Sequence, residues 1–229
     1  MAFRVESISR HPVRSMGGEQ LKAAKLDERG MAGDRWFAVR DAEGFLASGK
    51  VTRRFRRRDE VVDFQARTEG FSVEVSGDGQ RWLAGSELLD SHLSERMGTP
   101  VQVLPEADVP HQAGGQVSLI GTATLVWCAE RWGVDADPRR LRVNLVIETS
   151  KPFVEECLIG RELIYPLTRL HLGERIPRCR TTDLAQDGAV GGASWLKAVG
   201  GEREGCLGVY ATVVTPGSVM VGDQGKLAR

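Results

Sequence analysis

Cys179 stands in the run Arg178-Cys179-Arg180-Thr181-Thr182. Positive charge on either side of a thiol favours the thiolate, the form that attacks electrophiles and ligates metals. Thr181 and Thr182 add hydroxyls, and an acidic, glycine-containing loop over residues 183–188 follows. Alone, the run reads either as a metal-ligating or reactive thiol or as a surface cysteine in a polar turn.

Other segments carry donors suited to anions. In Ser9-Arg10-His11-Pro12-Val13-Arg14-Ser15-Met16-Gly17-Gly18 a strand enters a proline turn, then offers a cation, a hydroxyl and two glycines. Such a turn can bring backbone N–H groups and Arg14 onto a phosphate; it can also be a plain β-turn. In Gly30-Met31-Ala32-Gly33-Asp34-Arg35-Trp36, Asp34 can orient Arg35 for bidentate contact with an anion. In Arg140-Leu141-Arg142-Val143-Asn144-Leu145, strand alternation would put Arg140, Arg142 and Asn144 on one face. Arg53-Arg54-Phe55-Arg56-Arg57-Arg58 hints at nucleic acid, but the net charge of zero and the Asp59-Glu60 that follows favour a solvated hairpin or the rim of an anion pocket.

The elements expected to position these residues are mostly strands: residues 4–8, 36–40, 60–66, 71–76, 101–104, 141–148, 208–214 and 218–221. Asp78-Gly79 has the signature of a tight hairpin. One helix is expected from a Ser86 cap to Met97 and another from a Thr122 cap to Gly133, with a shorter piece near residues 194–199. The fold class is therefore mainly β with a few helices, of barrel or sandwich type. The Pro/Gly-rich run 105–115 is either a seam between domains 1–105 and 106–229 or a long active-site loop.

A chain of 229 residues suffices for one large or two small domains. Cys128, Cys157, Cys179 and Cys206 are too far apart for a zinc knuckle or an iron–sulfur loop, which makes free thiols the expectation. No signal-like N-terminus and no membrane-length apolar run occurs, so a cytoplasmic protein with no membrane and no nucleic-acid partner is expected.

Taken in order, these segments resemble the MOSC family, named for the C-terminal domain of molybdenum cofactor sulfurase. The Pro12–Gly18 and Gly33–Trp36 segments look like its N-terminal β-barrel half. Arg140 to Glu148 resembles its Arg-x-Arg-Pro-Asn strand, Phe153 to Gly160 its acidic stretch, Arg178-Cys179 its metal-binding turn, and residues 208–223 its closing hairpin. The resemblance implies an N-terminal β-barrel-like half followed by a MOSC β-barrel that binds the molybdenum cofactor in its molybdopterin form. It implies Cys179 as metal ligand and catalytic thiolate. Arg14, Ser15, Arg35, Arg140, Arg142, Asn144, Thr181 and Thr182 would bind the cofactor. Apart from the resemblance, placement near a binding turn makes Glu155 or Glu156 the proton-shuttle candidate. The implied activity, similar to that of mitochondrial amidoxime-reducing component, is reduction of small N-hydroxylated substrates with electrons from a separate donor protein. A non-enzymatic cofactor carrier or sulfur relay is the alternative, and a barrel binding some other anionic molecule a third reading. Arg14 stands where the family has lysine, Val143 where it has proline and Cys157 where it has tryptophan.

Overall fold

A computed structural model describes residues 3–192 and 194–228. Seven strands close into a barrel in the order Phe3–Arg10, Leu145–Ile147, Val117–Gly121, Cys206–Thr215, Arg169–Pro177, Glu162–Ile164 and Gln224–Leu227, the last pairing back onto Phe3–Arg10. Alternation builds it: Leu170 and Leu172 point inward between Arg169, His171 and Gly173. In Phe3–Arg10 a register shift between Val5 and Ser7 turns Ile8 into the core. The parallel pair in this ring joins Val117–Gly121 to Leu145–Ile147. A parallel pair needs a crossover, and helix Thr122–Trp132 supplies it.

The N-terminal β-barrel-like region combines a four-stranded sheet (Val101–Pro105, Phe37–Asp41, Leu46–Ser48, Phe55–Arg57) with a meander of Gln65–Glu69, Ser72–Gly77 and Gln80–Leu83. Helix Glu87–Met97 buries Leu89 and Leu93 against this second core, alongside Phe64, Val39 and Val103. The cores do not follow the order of the sequence. Phe3, Val5, Ile8, Ala24, Leu26 and Met31 pack into the seven-stranded barrel with Leu119, Leu145 and Val209. The chain thus starts in one barrel, builds the other and returns, which brings the turn after residue 10 to the junction.

Ser86 caps its helix as expected, its Oγ accepting from Leu89 N, and Gly98 ends it at φ 63°. Asp78 (φ 48°) and Gly79 (φ 73°) form the expected hairpin turn. Three expectations change. Thr122 does not cap its helix; Gly121 holds that position, and Thr122 Oγ1 accepts from Thr149 N at 3.1 Å instead. Residues 60–66 are not one strand, because Asp59–Asp63 coils into a 3₁₀ turn that buries Val61 and Val62. Residues 141–148 are not one strand either. Asp137 caps a 3₁₀ turn over Pro138–Leu141, Arg142 closes it at φ 52°, and the strand begins at Leu145. Arg140, Arg142 and Asn144 therefore do not share a strand face. Among the described residues no helix is long and apolar enough to cross a membrane.

Candidate functional site

A cleft opens where the barrel meets the N-terminal region. It gathers Cys179, Arg14, Ser15, Arg35, Arg140, Arg142, Asn144, Thr181 and Thr182, which the sequence scatters over 169 positions (residues 14–182). Glu155 and Glu156 are not among its lining residues.

The Cys179 turn begins where Arg169–Pro177 ends. Arg178 N donates to Gly205 O at 2.8 Å, and the Arg178 guanidinium ties the turn to Leu207 O (2.9 Å) and Leu141 O (2.7 Å). Thr182 N and Oγ1 each donate to Cys179 O at 3.0 Å. Cys179 Sγ lies 3.4 Å from Thr181 Oγ1 in hydrogen-bond contact, half-buried at the cleft wall. Gly49 backs the turn so closely that a Cβ there would come 2.5 Å from Thr181 Oγ1. Among the described residues no three His, Cys, Asp or Glu side chains gather to hold a metal ion. A metal at Cys179 would have to bring ligands of its own.

Of the cations that line the cleft, Arg14 and Arg140 are buried and Arg35, Arg142, Arg178 and Lys50 are half-buried. Arg35 is held by Asp34 and donates to Arg142 O at 2.9 Å. Asp34 is fully buried and also accepts from His11 N at 2.8 Å. Arg142 donates to Met16 O at 2.6 Å. Arg14 donates to His111 O, stacks 4.3 Å from the Phe55 ring centre and keeps a buried Nε with no partner. Burial first, then repulsion from Arg35 and Arg142, pushes Arg14 down to about 9. Burial and Arg35 push Arg142 down to about 10, and burial alone takes Arg178 to about 10. All three stay charged at neutral pH, and each would be relieved by an anion in the cleft. Ser15, Arg35 and Arg142 are three of the seven non-glycine residues with positive φ among the described residues (68°, 51° and 52°). Such backbone strain concentrates where side chains are aimed at a ligand. The residues therefore fit a phosphate-bearing group whose metal takes one thiolate, from Cys179.

Two of the gathered residues hold the walls. Arg140 binds Asp135 through Nε at 2.8 Å to each oxygen and reaches Val190 O. Asn144 Oδ1 accepts from Ser118 N (3.0 Å) and Oγ (2.9 Å), locking the parallel strands together.

The two glutamates serve the scaffold. Glu156 Oε1 accepts from Gly208 N at 3.1 Å and Oε2 pairs with Arg203 and, at 3.0 Å, with Arg175. Glu155 is fully buried under the crossover helix, accepting from Thr124 Oγ1 at 2.7 Å while Oε2 has no partner. Burial raises its pKa. The native state thus holds a proton that the unfolded chain releases, and this contribution to stability is lost as pH rises from the ordinary carboxylate range through the raised pKa. Glu155→Gln should stabilise the protein relative to wild type more at pH 8 than at pH 5, on the order of 1 kcal/mol, as read by denaturant unfolding at the two pH values.

The cleft also holds residues that sequence reasoning did not single out: Ser48, Lys50, Gln112, Ser118 and Tyr210. Lys50 was hidden beside the arginine run. Its pKa is lowered by burial and by Arg14. Gln112 belongs to the 105–115 run, which carries no regular structure after Pro105 and lies over the cleft. Arg54 clamps it through Pro110 O (2.7 Å), Gln112 O (3.2 Å) and Ala113 O (3.3 Å).

The fold is similar to that of the YuaD protein from Bacillus subtilis, with TM-score 0.52 and 15% identity over 99% of this chain and 96% of that one. YiiM from Escherichia coli aligns at TM-score 0.48 and 10% identity over 100% of this chain and 70% of that one. No curated protein matches. The MOSC N-terminal beta barrel domain family matches residues 2–96, and the MOSC domain family matches residues 94–225. The second match spans more than half the chain, carries the Cys179 turn and most of the barrel, and agrees with the closed seven-stranded architecture: this protein belongs to the MOSC-domain family.

Proposed function

We propose that the cleft binds the molybdenum cofactor in its molybdopterin form, with Cys179 as the protein's ligand to the metal, and that the protein reduces N-hydroxylated small molecules. The observation that supports this most is the meeting of one accessible thiol with buried Arg14 and half-buried Arg142, cations that among the described residues form no salt bridge with a carboxylate and call for an anion.

Arg14, Arg35 and Arg142, with Ser15, would hold the cofactor's phosphate. Bidentate guanidinium contacts suit a dianion. Thr181 and Thr182 fix the Cys179 turn, so the sulfur is presented without a search among rotamers and loop positions. Arg178, pinned to Leu207 O and Leu141 O, holds the Cys179 turn in place. When bound, the cofactor supplies the two-electron redox chemistry that side chains lack. The overall change is balanced as R–NHOH + 2 e⁻ + 2 H⁺ → R–NH₂ + H₂O. The electrons come from a separate donor protein. The chain's own thiols stand in four different places: Cys128 buried in the crossover helix, Cys157 ending a short helix, Cys206 opening a strand, and Cys179.

The test is a single turnover. Holoprotein from a cofactor-producing host, reduced chemically and mixed with benzamidoxime, should yield about one benzamidine per molybdenum. Reduced holoprotein that releases no product but passes its cofactor to an apo-acceptor would contradict the reductase reading and favour the carrier.

A further inference from the structure

We infer that Lys50 makes the cleft beside Cys179 an anion-recognition site, so that the favoured N-hydroxylated substrates carry a carboxylate or similar oxyanion. This rests on the reductase reading above and adds the substrate's charge class to it.

Lys50 lines the cleft together with Cys179 and interacts electrostatically with it, and the preceding Gly49 packs against Thr181. Its Nζ sits 4.8 Å from the Phe55 ring centre. Arg14 stacks on the same ring at 4.3 Å and Arg54 at 5.1 Å. An aromatic face holds cations in place without neutralising them. The charged groups that act on Lys50 are Arg14, Arg54 and Cys179, none of them a carboxylate. Among the described residues, no aspartate or glutamate lines the cleft.

A count of the charges that line the cleft singles out Lys50. The cations lining it are Arg14, Arg35, Arg140, Arg142, Arg178 and Lys50. Asp34 answers Arg35 and Asp135 answers Arg140. Four remain. A phosphate monoester brings about two negative charges at neutral pH and the Cys179 thiolate one. Of the four cations, Lys50 is the flexible, compact one best able to meet a substrate anion. A substrate that becomes a cation on reduction, as an amidoxime does in giving an amidine, is disfavoured unless it carries a compensating anion.

The test uses two readouts, one of which needs no cofactor. In cofactor-free protein at fixed pH, anionic iodoacetate and neutral iodoacetamide compete for the same Cys179 thiolate, so their rate ratio reads local potential and not thiol ionisation. Measured cysteine by cysteine by mass spectrometry, the ratio should be about tenfold higher at Cys179 than at exposed Cys157, as a difference of about 1.4 kcal/mol in local potential would give. Lys50→Gln should lower it severalfold, and Lys50→Arg should preserve it. Equal ratios at the two cysteines, or a ratio unmoved by Lys50→Gln, would overturn the proposal. In holoprotein, kcat/KM for 4-carboxybenzamidoxime over benzamidoxime should exceed one and fall about tenfold in Lys50→Gln, mostly through KM. A preference for the neutral compound would overturn the proposal. No turnover of either compound would overturn the reductase reading, while the alkylation ratio would still decide the anion site.

Discussion

Replacing Cys179 by serine should reduce N–O bond reduction by about a thousandfold or more, a loss of about 4 kcal/mol of transition-state stabilisation. Serine keeps the size of the side chain and the contact to Thr181. It replaces an anionic, strongly electron-donating thiolate by a weaker donor that as a free hydroxyl stays protonated at neutral pH, which would change the ligand field of the metal. The fold should not notice. Cys179 is half-buried, and the turn is held by backbone and threonine contacts that serine leaves intact. Thermal unfolding should match wild type within about 0.5 kcal/mol. Unchanged turnover would remove Cys179 from the chemistry, and a large loss of stability would make it a structural residue.

Arg14→Met should give effects of opposite sign on two measurements. Arg14 is a buried cation with an unpartnered Nε, flanked by Arg35 and Arg142, whose charges repel it. Methionine has similar reach and can lie on the Phe55 ring without the cost of desolvating a charge. Cofactor-free protein should therefore unfold at the same temperature as wild type or higher, with a gain of up to about 1 kcal/mol. The carbonyl of His111, which loses its donor, offsets the rest. Cofactor retention should move the other way and fall at least about tenfold, because a buried guanidinium on a phosphate contributes more than about 1.4 kcal/mol. A stability loss in cofactor-free protein with cofactor retained would mean that Arg14 is a scaffold residue and that the phosphate sits elsewhere.

The site's chemistry was more legible in the sequence than the architecture that assembles it. Cys179 between arginines, the Arg14-Ser15 turn and the Asp34-Arg35 pair each announced themselves by residue type, and all reach one cleft. The 140–144 segment reached it by an unexpected route. Alternation suggested a strand face, but the Asp137 cap and the left-handed Arg142 make a turn, so Arg142 points into the cleft while Arg140 and Asn144 brace its walls. Glu155 and Glu156 misled because nearness in the chain to a binding-type stretch says nothing about direction. Their carboxylates are used by Thr124, Gly208, Arg175 and Arg203. Lys50 was invisible for a related reason: one lysine beside a run of arginines has no local signature, and only long-range folding sets it against the Cys179 turn. Long-range pairing also explains why the first strand could not be placed from the sequence. Residues 3–10 read as the opening of the N-terminal region, yet they pair with residues 145–147 and 224–225 and help close the other barrel.

The central claim is that the cleft is a molybdenum-cofactor site with Cys179 on the metal, and X-ray absorption at the molybdenum edge tests it most directly. Protein purified from a cofactor-producing host should contain about one molybdenum per chain with three sulfur neighbours, two from the cofactor and one from the protein, and the Cys179→Ser protein should show two. Protein without molybdenum, or a sulfur count unchanged by Cys179→Ser, would contradict it.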